Sequence, residues 1–345
     1  MSTKRLGSQT VFLSNPPSVA GGAAVVGSKE GEGPLRSYFD FVSEDSYFGE
    51  GTWEKAESTM LRQCFSLAAD KSGIAPSDIE YLFASDLLNQ CIASTFALRE
   101  TGVPYFGCYS ACSAMSETLS LGALTIDGGF ADTICALTAS HYCTAERQYR
   151  FPLEYGGQRT PTAQWTVTAA GAIVLTAEGA GPYLTGVTTG RIMDAGITDA
   201  NNMGAAMAPA AHDTLSAHFS DTGRIPEDYD LIVTGDLGVL GHEILINLFG
   251  REGVDISRKY VDCGMLIYDI GKQDVHCGGS GCGCSAAVLA SYLLPGMSEG
   301  RWHNILFAST GALLSPISTQ QGESIPGICH AITLSTDRKP LERMQ

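Results

Sequence analysis

A cysteine at the expected start of a buried helix is the first feature of the sequence that could do chemistry. The small residues Ser110 and Ala111 precede Cys112, and the proline-free run 114–124 carries Glu117 as its single charge. This pattern predicts a helix that is buried on most sides and begins at Cys112. Free N–H groups and the positive end of the helix dipole would favour a thiolate or hold an oxyanion. The alternative, a small buried apolar cysteine, is common and stays open.

The composition limits the partners and the cellular compartment that we expect for this protein. Among 345 residues, 44% are hydrophobic and 17% charged, and the net charge is −16. Such a charge argues against nucleic acid and anionic lipid as partners. Eleven cysteines, an odd number in no compact framework, favour a reducing or neutral compartment. Val11–Leu13 is too short for a signal sequence, and no apolar run has membrane-spanning length.

Around Cys112 the chain alternates between helical and strand patterns. Trp53–Ser72 predicts an amphipathic helix, Tyr81–Ala84 a buried strand that ends at Asp86, and Thr133–Ala139 another strand. Ser140–Gln164 is expected to be a polar loop that carries arginines. Alternating strands and helices imply sheets covered by helices.

The second half of the chain repeats the first. The repeat rests on four ordered matches, which are Ile79–Leu87 with Tyr229–Leu237, the Cys112 segment with Gly281–Ala290, Thr133–Ala139 with Asn304–Thr310, and Ala172–Thr176 with Ala331–Ser335. Each match is weak alone, but their common order predicts two α/β halves related by a pseudo-twofold axis. The expected division is 1–183 and 184–345. In this arrangement Cys112 and Cys282–Ser285 meet at the centre.

Two phrases carry a resemblance to the thiolase superfamily. Ser110–Ala114 is similar to its nucleophile elbow, and Thr166–Leu175 is similar to the glycine-rich strand of ketoacyl synthases. The resemblance implies a duplicated αβαβα layered fold. Ser140–Tyr155 and His276–Ser285 are not typical of condensing enzymes and resemble the stage V sporulation protein AD family.

The resemblance to that family implies a role and partners. The family binds dipicolinic acid (pyridine-2,6-dicarboxylate) and supports its uptake into the spore during sporulation. We therefore expect a dipicolinate-binding protein without a cofactor, whose ligand is the free acid or its calcium complex. It would act with other proteins of the stage V sporulation locus, at the periphery of the forespore inner membrane. A homodimer is expected from the thiolase resemblance alone.

Departures from the condensing-enzyme pattern argue against catalysis. Asp236 stands where those enzymes carry a histidine, His242 comes several residues too late, and Gly283 replaces their asparagine. Without these donors an enolate is not stabilised, although Cys112 could still carry an acyl group. A second alignment matches His276 to the histidine–glycine segment of degradative thiolases, but then their second cysteine is missing. An acyltransferase that uses Cys112 therefore remains the alternative function.

The arginines of the polar loop are candidates for holding the ligand. Arg147, Arg150 and Arg159 are three of only 21 basic residues. Guanidinium groups bind carboxylates in a bidentate manner, and neighbouring aromatic side chains could stack on a pyridine ring. The alternative is a solvated surface charge, which is the usual state of an arginine.

Further candidates lie at strand ends and helix starts. Asp86 and Asp236 occupy matching strand ends, where each could cap a helix or line the cleft. The other candidate lining residues are Asn89, Gln90, His141, His276 and Cys284. Each histidine could also be a core residue or a general base. No metal site is expected, because Cys108, Cys112, Cys282 and Cys284 lack the paired spacing of zinc ligands.

Overall fold

The computed structural model describes residues 4–149, 159–339 and 341–342 as a mixed α/β protein. Its first eight strands are β1 (Thr10–Phe12), β2 (Ser18–Val26), β3 (Phe41–Val42), β4 (Tyr81–Asp86), β5 (Tyr105–Gly107), β6 (Thr133–Ser140), β7 (Trp165–Thr166) and β8 (Ala169–Thr176). The later strands are β9 (Tyr183–Thr188), β10 (Leu231–Thr234), β11 (Tyr260–Asp262), β12 (Gly279–Ser280), β13 (Asn304–Ala312) and β14 (Gly327–Ser335).

Helices separate the strands along the chain. They are α1 (Ser28–Gly31), α2 (Trp53–Ser72), α3 (Ile92–Leu98), α4 (Ala114–Asp127), α5 (Tyr142–Tyr149), α6 (Met203–Thr222), α7 (Gly238–Arg251), α8 (Cys263–Leu266), α9 (Cys282–Val288), α10 (Leu294–Ser298) and α11 (Pro316–Gln320). A π-helical turn, Leu289–Leu293, joins α9 to α10. Within the described residues, no helix has both the length and the apolar character needed to cross a bilayer.

The two halves have the same sheet topology. The strand order is β11-β10-β13-β14-β9-β2-β8-β6-β4-β5, with β1 on β9 and β3 on β2. In the first half β5, β4 and β6 are parallel, and β8 and then β2 follow in antiparallel pairing. The second half repeats this with β11, β10, β13, β14 and β9. Between β2 and β9, where the two sets of five strands join, the pairing is a single residue pair, Ser18 with Tyr183.

This symmetry confirms the predicted duplicated fold. The four sequence matches correspond to β4 with β10, α4 with α9, β6 with β13, and β8 with β14. Helix α4 packs against strands of both halves, and α9 packs beside it, whereas α2 and α6 cover the outer faces. The layers are therefore αβαβα, as expected. The predicted boundary between residues 183 and 184 falls at the start of β9 and stays a prediction.

Three local predictions differ from the structure. Helix α4 begins at Ala114, so Cys112 lies in the turn before the helix. The predicted loop Ser140–Gln164 contains a helix, α5, and a short strand pairing begins at Trp165. The phrase expected as one glycine-rich strand is divided between β7 and β8. Alanines and threonines in these segments give weak periodicity, so packing decides where each element ends.

Glycine brings α9 close to the first sheet. A Cβ atom on Gly171 of β8 would lie 2.5 Å from the backbone carbon of Ala286 in α9. Small residues at such a contact allow a helix to pack directly on a strand.

We predict that Gly171→Ala lowers the free energy of unfolding by about 2–3 kcal/mol, because overpacking moves helix α9 away from β8. The matched control is Gly250→Ala in α7, where a Cβ would meet no atom within 4 Å. That change should raise stability by about 0.5–1 kcal/mol, since glycine is costly inside a helix. Urea denaturation measures both, and equal stability of the two variants would contradict the close packing.

Candidate functional site

Cys112 lies in a tight turn pressed against the other half of the molecule. Ala111, the residue before it, has a φ of +51°, which a non-glycine residue rarely adopts. A Cβ on Gly311 of β13 would lie 2.5 Å from the carbonyl oxygen of Ser110 and 3.2 Å from the backbone nitrogen of Cys112. The turn is therefore fixed by a close approach between the halves, and it holds a strained residue next to the thiol.

A buried carboxylate, Asp236, ties this turn to its surroundings. Oδ2 accepts hydrogen bonds from Ser280 Oγ at 3.0 Å and from the backbone N–H of Gly281 at 2.9 Å. Oδ1 accepts from Thr310 Oγ1 at 2.8 Å, and the Asp236 carbonyl accepts from Gln164 Nε2 at 2.6 Å. Asp236 therefore joins the ends of β10, β12 and β13 beneath Cys112.

The electrostatic surroundings keep the thiol protonated. Burial, and then the negative charge of Asp236, raise the pKa of Cys112 well above its usual value. Burial also raises the pKa of Asp236, although hydrogen bonds from Gly281, Thr310 and Ser280 oppose this shift. Cys112 Sγ lies 3.9 Å from Ser280 Oγ. The thiolate that the helix start suggested is not favoured here, because desolvation outweighs the helix dipole.

A narrow cavity opens in front of Cys112 between the two halves. It encloses about 540 Å³ of empty space, counted to its open mouth. Its lining residues are Leu87, Ala111, Cys112, Ala145, Glu146, Tyr149, Thr166, Ala200, Met203, Ser280, Ala312 and Leu314. Thr166 and Ser280 face each other in the pairing of β7 with β12, which links the halves. The wall is mostly apolar, and Glu146 is its single charged residue among those described.

One side of this cavity is formed by Tyr149, whose hydroxyl contacts a second tyrosine, Tyr109. Tyr149 donates its hydroxyl hydrogen to the carbonyl oxygen of Leu87, and its oxygen lies 2.9 Å from the Tyr109 hydroxyl. Burial raises the pKa of both tyrosines, so their hydroxyls remain neutral donors. Tyr149 therefore presents a ring and a polar edge to a bound molecule.

No histidine among the described residues contacts Cys112. All seven are described, and their ring contacts are His141 with Ser46, His212 with Glu252, His218 with Thr188 and Tyr229, His242 with Tyr260, His276 with Asp274, His303 with Thr336, and His330 with Gly190. Of the two candidates, His141 is buried and bonded at Nε2 to the Ser46 carbonyl at 2.8 Å. His276 lies 3.4 Å from Asp274 and does not line the cavity.

The strand-end candidates have separate positions. Asp86 is buried behind the cavity wall and accepts from the N–H groups of Leu88 and Ser94 at 2.9 and 2.7 Å, so it caps the segment that leads into α3. Asn89 and Gln90 are exposed, and neither lines the cavity. Cys284 is buried in α9, with Sγ 3.6 Å from the Gly235 carbonyl. Of these candidates and Asp236, only Asp236 is in contact with the Cys112 turn.

The arginine candidates are also separated. Arg147 pairs with Glu54 and lies over the Trp53 ring at 5.2 Å, on the outside of α5. Arg150 falls outside the described residues. Arg159 donates to the carbonyl of Gln164 and lies 4.8 Å from the centre of the Trp165 ring. Because Gln164 in turn donates to Asp236, Arg159 is connected to the floor of the site.

Sequence reasoning missed several residues that build the site. They are Ser280, Thr310 and Gln164, which hold Asp236. Tyr149, which lines the cavity, is one of the aromatic neighbours that the sequence proposed for stacking on the ligand. Thr310 ends a segment already matched between the halves, and Ser280 directly precedes another, so their places in the repeat were a usable signal. Within the described residues, no group of three or more metal-binding side chains converges.

Two comparisons with known proteins cover nearly the whole chain. The family described as stage V sporulation protein AD (SpoVAD) matches residues 7–335. The stage V sporulation protein AD of Bacillus subtilis (strain 168) is 41% identical over 329 residues, which cover 95% of this chain and 97% of that protein.

Solved structures share the fold at low identity. The 3-oxoacyl-[acyl-carrier-protein] synthase III from Aquifex aeolicus VF5 has a TM-score of 0.55 and 14% identity, over 92% of this chain and 99% of that one. Cerulenin-bound OleA from Xanthomonas campestris has a TM-score of 0.60 and 15% identity, over 94% and 97%. These similarities confirm the thiolase-like fold and extend no further than the fold.

We predict that Cys112 reacts slowly with iodoacetamide because its thiol stays protonated. At about pH 8 its alkylation should be roughly tenfold slower than that of the half-exposed Cys143, followed by peptide mass spectrometry. Ser280→Ala should slow it further, since the Ser280 hydroxyl lowers the pKa of Cys112. Rapid alkylation of Cys112 at neutral pH would show an activated thiolate and contradict this electrostatic account.

Proposed function

We infer that this chain, which belongs to the stage V sporulation protein AD family, binds pyridine-2,6-dicarboxylate in the cavity in front of Cys112. Membership of the family gives the chain a role in sporulation. The observation that best supports binding over catalysis is the thiol itself, which is buried, protonated and without a histidine partner among the described residues. Such a thiol can line a cavity but is poorly suited to attack an acyl group.

The shape and chemistry of the cavity suit a flat aromatic ligand. Leu87, Ala145, Met203 and Leu314 offer apolar contacts from both halves. Tyr149 adds a ring and a hydroxyl. A concave, mostly apolar site with a few convergent polar groups is typical of small-molecule binding.

A dianionic ligand needs a positively charged side chain from outside the residues that line the cavity. Glu146 and Asp236 are both acidic, so a free dianion in the cavity would be repelled. Arg159 is the candidate arginine connected to the floor of the site, through its hydrogen bond to Gln164 and its position over the Trp165 ring. The calcium complex of the ligand is neutral, and it would lower the same repulsion without a protein cation.

The cellular part of the proposal follows from the family. We place the chain in the forespore or spore, at the periphery of the inner membrane, where it supports dipicolinate uptake with other proteins of the stage V sporulation locus.

A second candidate, acyl transfer on Cys112, is favoured by one feature, the strained Ala111 that holds the thiol at the cavity.

Calorimetry tests the ligand. We expect saturable binding of dipicolinate or its calcium complex, and no acyl adduct on Cys112 after incubation with acetyl-CoA. Arg159→Ala should weaken binding of the free acid roughly 10- to 100-fold, because hydrogen bonds to a charged group contribute about 1.5–3 kcal/mol. The matched control is Arg147→Ala, whose partner is Glu54, and its affinity should stay within about twofold of the wild type.

The two ligand forms give distinct results. If only the calcium complex binds, and Arg159→Ala has no effect on it, the neutral chelate is the ligand. If neither form binds and mass spectrometry detects acyl-Cys112, the binding proposal is wrong and acyl transfer replaces it.

We also propose a homodimer that pairs through β5. This strand is at the end of the sheet, and its Phe106 is 52% exposed. Further exposed apolar side chains lie on neighbouring segments of the chain, at Ile92, Phe96 and Tyr109. An unpaired edge flanked by apolar groups readily pairs with another strand. A twofold axis across β5 would extend the sheet into a second copy.

We predict that Phe106→Asp converts the dimer into a monomer, because a buried charge is costly at an interface. The control is Ile225→Asp, which places the same charge at a 55% exposed residue after α6. Light scattering after gel filtration reads the mass of each variant. A monomeric wild type, or a dimeric Phe106→Asp protein, would refute pairing at this edge.

A further inference from the structure

A second recess lies at the opposite end of β13 from the cavity. Its empty space is about 850 Å³, and it is formed where β13 begins and β14 ends. Ala312 lines the cavity at Cys112, whereas Asn304 lines this recess. Eight residue steps of about 3.3 Å separate them, so the two sites lie about 26 Å apart. The proposal for this recess is therefore independent of the function assigned to the cavity.

The wall of the recess gathers positively charged and hydrogen-bonding side chains. Arg224, His303 and Lys339 line it, together with the hydroxyl groups of Thr333 and Thr336. This is a local concentration of basic groups on a chain whose net charge is −16.

Two acidic residues lie close to these cations. Asp337 also lines the recess and pairs with Lys339 at 3.2 Å on the exposed rim. Asp230 accepts from the backbone N–H groups of His303 and Asn304 at 2.7 and 2.9 Å. Because both of these donors are backbone groups, Asp230 orients the start of β13. Among the described residues, Arg224 has no carboxylate partner.

Arg224 is held in place by Tyr229, but one of its donors lacks an acceptor. Its Nε is buried and has no hydrogen-bond partner among the described residues. Its guanidinium group lies over the Tyr229 ring, with the central carbon 5.8 Å from the ring centre. A buried donor without an acceptor lowers stability by about 1–3 kcal/mol. We therefore expect a bound molecule to supply the acceptor.

A buried chain of hydrogen bonds fixes the ring beneath this arginine. The Tyr229 hydroxyl lies 2.6 Å from His218 Nε2, and His218 Nδ1 lies 2.8 Å from Thr188 Oγ1. Thr188 is in turn 2.9 Å from the Thr10 hydroxyl. Burial, and then the charge of Arg224, lower the pKa of His218 to about 3, so the chain stays neutral. The platform under Arg224 is therefore rigid, and the guanidinium is positioned in advance.

We propose that this recess binds a phosphate group, held by Arg224 with support from His303 and Lys339. A guanidinium group offers parallel N–H donors that match two oxygens of a phosphate, and Lys339 supplies a point charge at the rim. The Thr333 hydroxyl donates to the Gly186 carbonyl, and the Thr336 hydroxyl lies 3.3 Å from His303 Nδ1, so both threonines help to shape the wall. The recess is open, so the phosphate can be free or belong to the headgroup of an anionic lipid.

The test measures phosphate binding by calorimetry on the full chain. Wild type should bind inorganic phosphate saturably, and Arg224→Gln should weaken that binding at least about tenfold. Arg258→Gln is the matched control, since it removes the same charge from a side chain that is 90% exposed and distant in the chain. Arg224→Lys should be intermediate, because it keeps the charge and loses the paired donors.

Two further measurements make the result decisive. Circular dichroism melting shows whether each variant is folded, and Lys339→Gln replaces Arg224→Gln if the latter is not. Sedimentation with phosphatidylglycerol and phosphatidylcholine vesicles identifies the source of the phosphate group. Arg224-dependent binding to phosphatidylglycerol vesicles alone assigns a lipid headgroup. Binding of inorganic phosphate without binding to vesicles assigns a free phosphate. Absence of saturable phosphate binding in the wild type, or equal binding by folded Arg224→Gln, would overturn the proposal.

Discussion

The buried carboxylate of Asp236 is the interaction on which the candidate site depends. It joins β10, β12 and β13 through hydrogen bonds from Ser280, Gly281 and Thr310, directly beneath Cys112. A buried carboxylate is tolerated only when its oxygens are satisfied, so these donors are required by the charge itself. Burial, and then the same negative charge, raise the pKa of Cys112. One group therefore organises the floor of the cavity and adds to the effect of burial on the thiol.

Close packing of glycine explains a second departure from the condensing enzymes. By the resemblance, Gly283 stands at the position of their asparagine. A Cβ on Gly283 would lie 2.2 Å from the carbonyl oxygen of Ala169 and 2.9 Å from the backbone nitrogen of Ser140. Any side chain there would displace α9 from the sheet. The missing donor is thus built into the packing of the two halves, and a single substitution would not restore it.

The sequence predicted the fold better than the site, for a physical reason. Apolar strands and the repeated order of elements are local patterns, and they correctly gave the duplicated halves and the central helix after Cys112. Asp86 caps a helix through nearby residues, one of the two roles that the sequence offered. The role of His141 depends on Ser46, a partner far away in the chain. Arg147 looked like a ligand-binding cation until Glu54, on another helix, supplied its partner. Such long-range pairings leave no spacing signal, so types of residue were predicted and their contacts were not.

Charge is the remaining constraint on what the cavity can hold. Its described wall is apolar apart from polar hydroxyls and the Glu146 carboxylate, and Asp236 lies beneath the floor. Because burial raises the pKa of Asp236, a ligand that brings further negative charge would favour its protonated form. Binding of a dianion would then be coupled to proton uptake, whereas binding of a neutral chelate would not. The proton balance of binding therefore reports which charge state enters the cavity, independently of which arginine assists it.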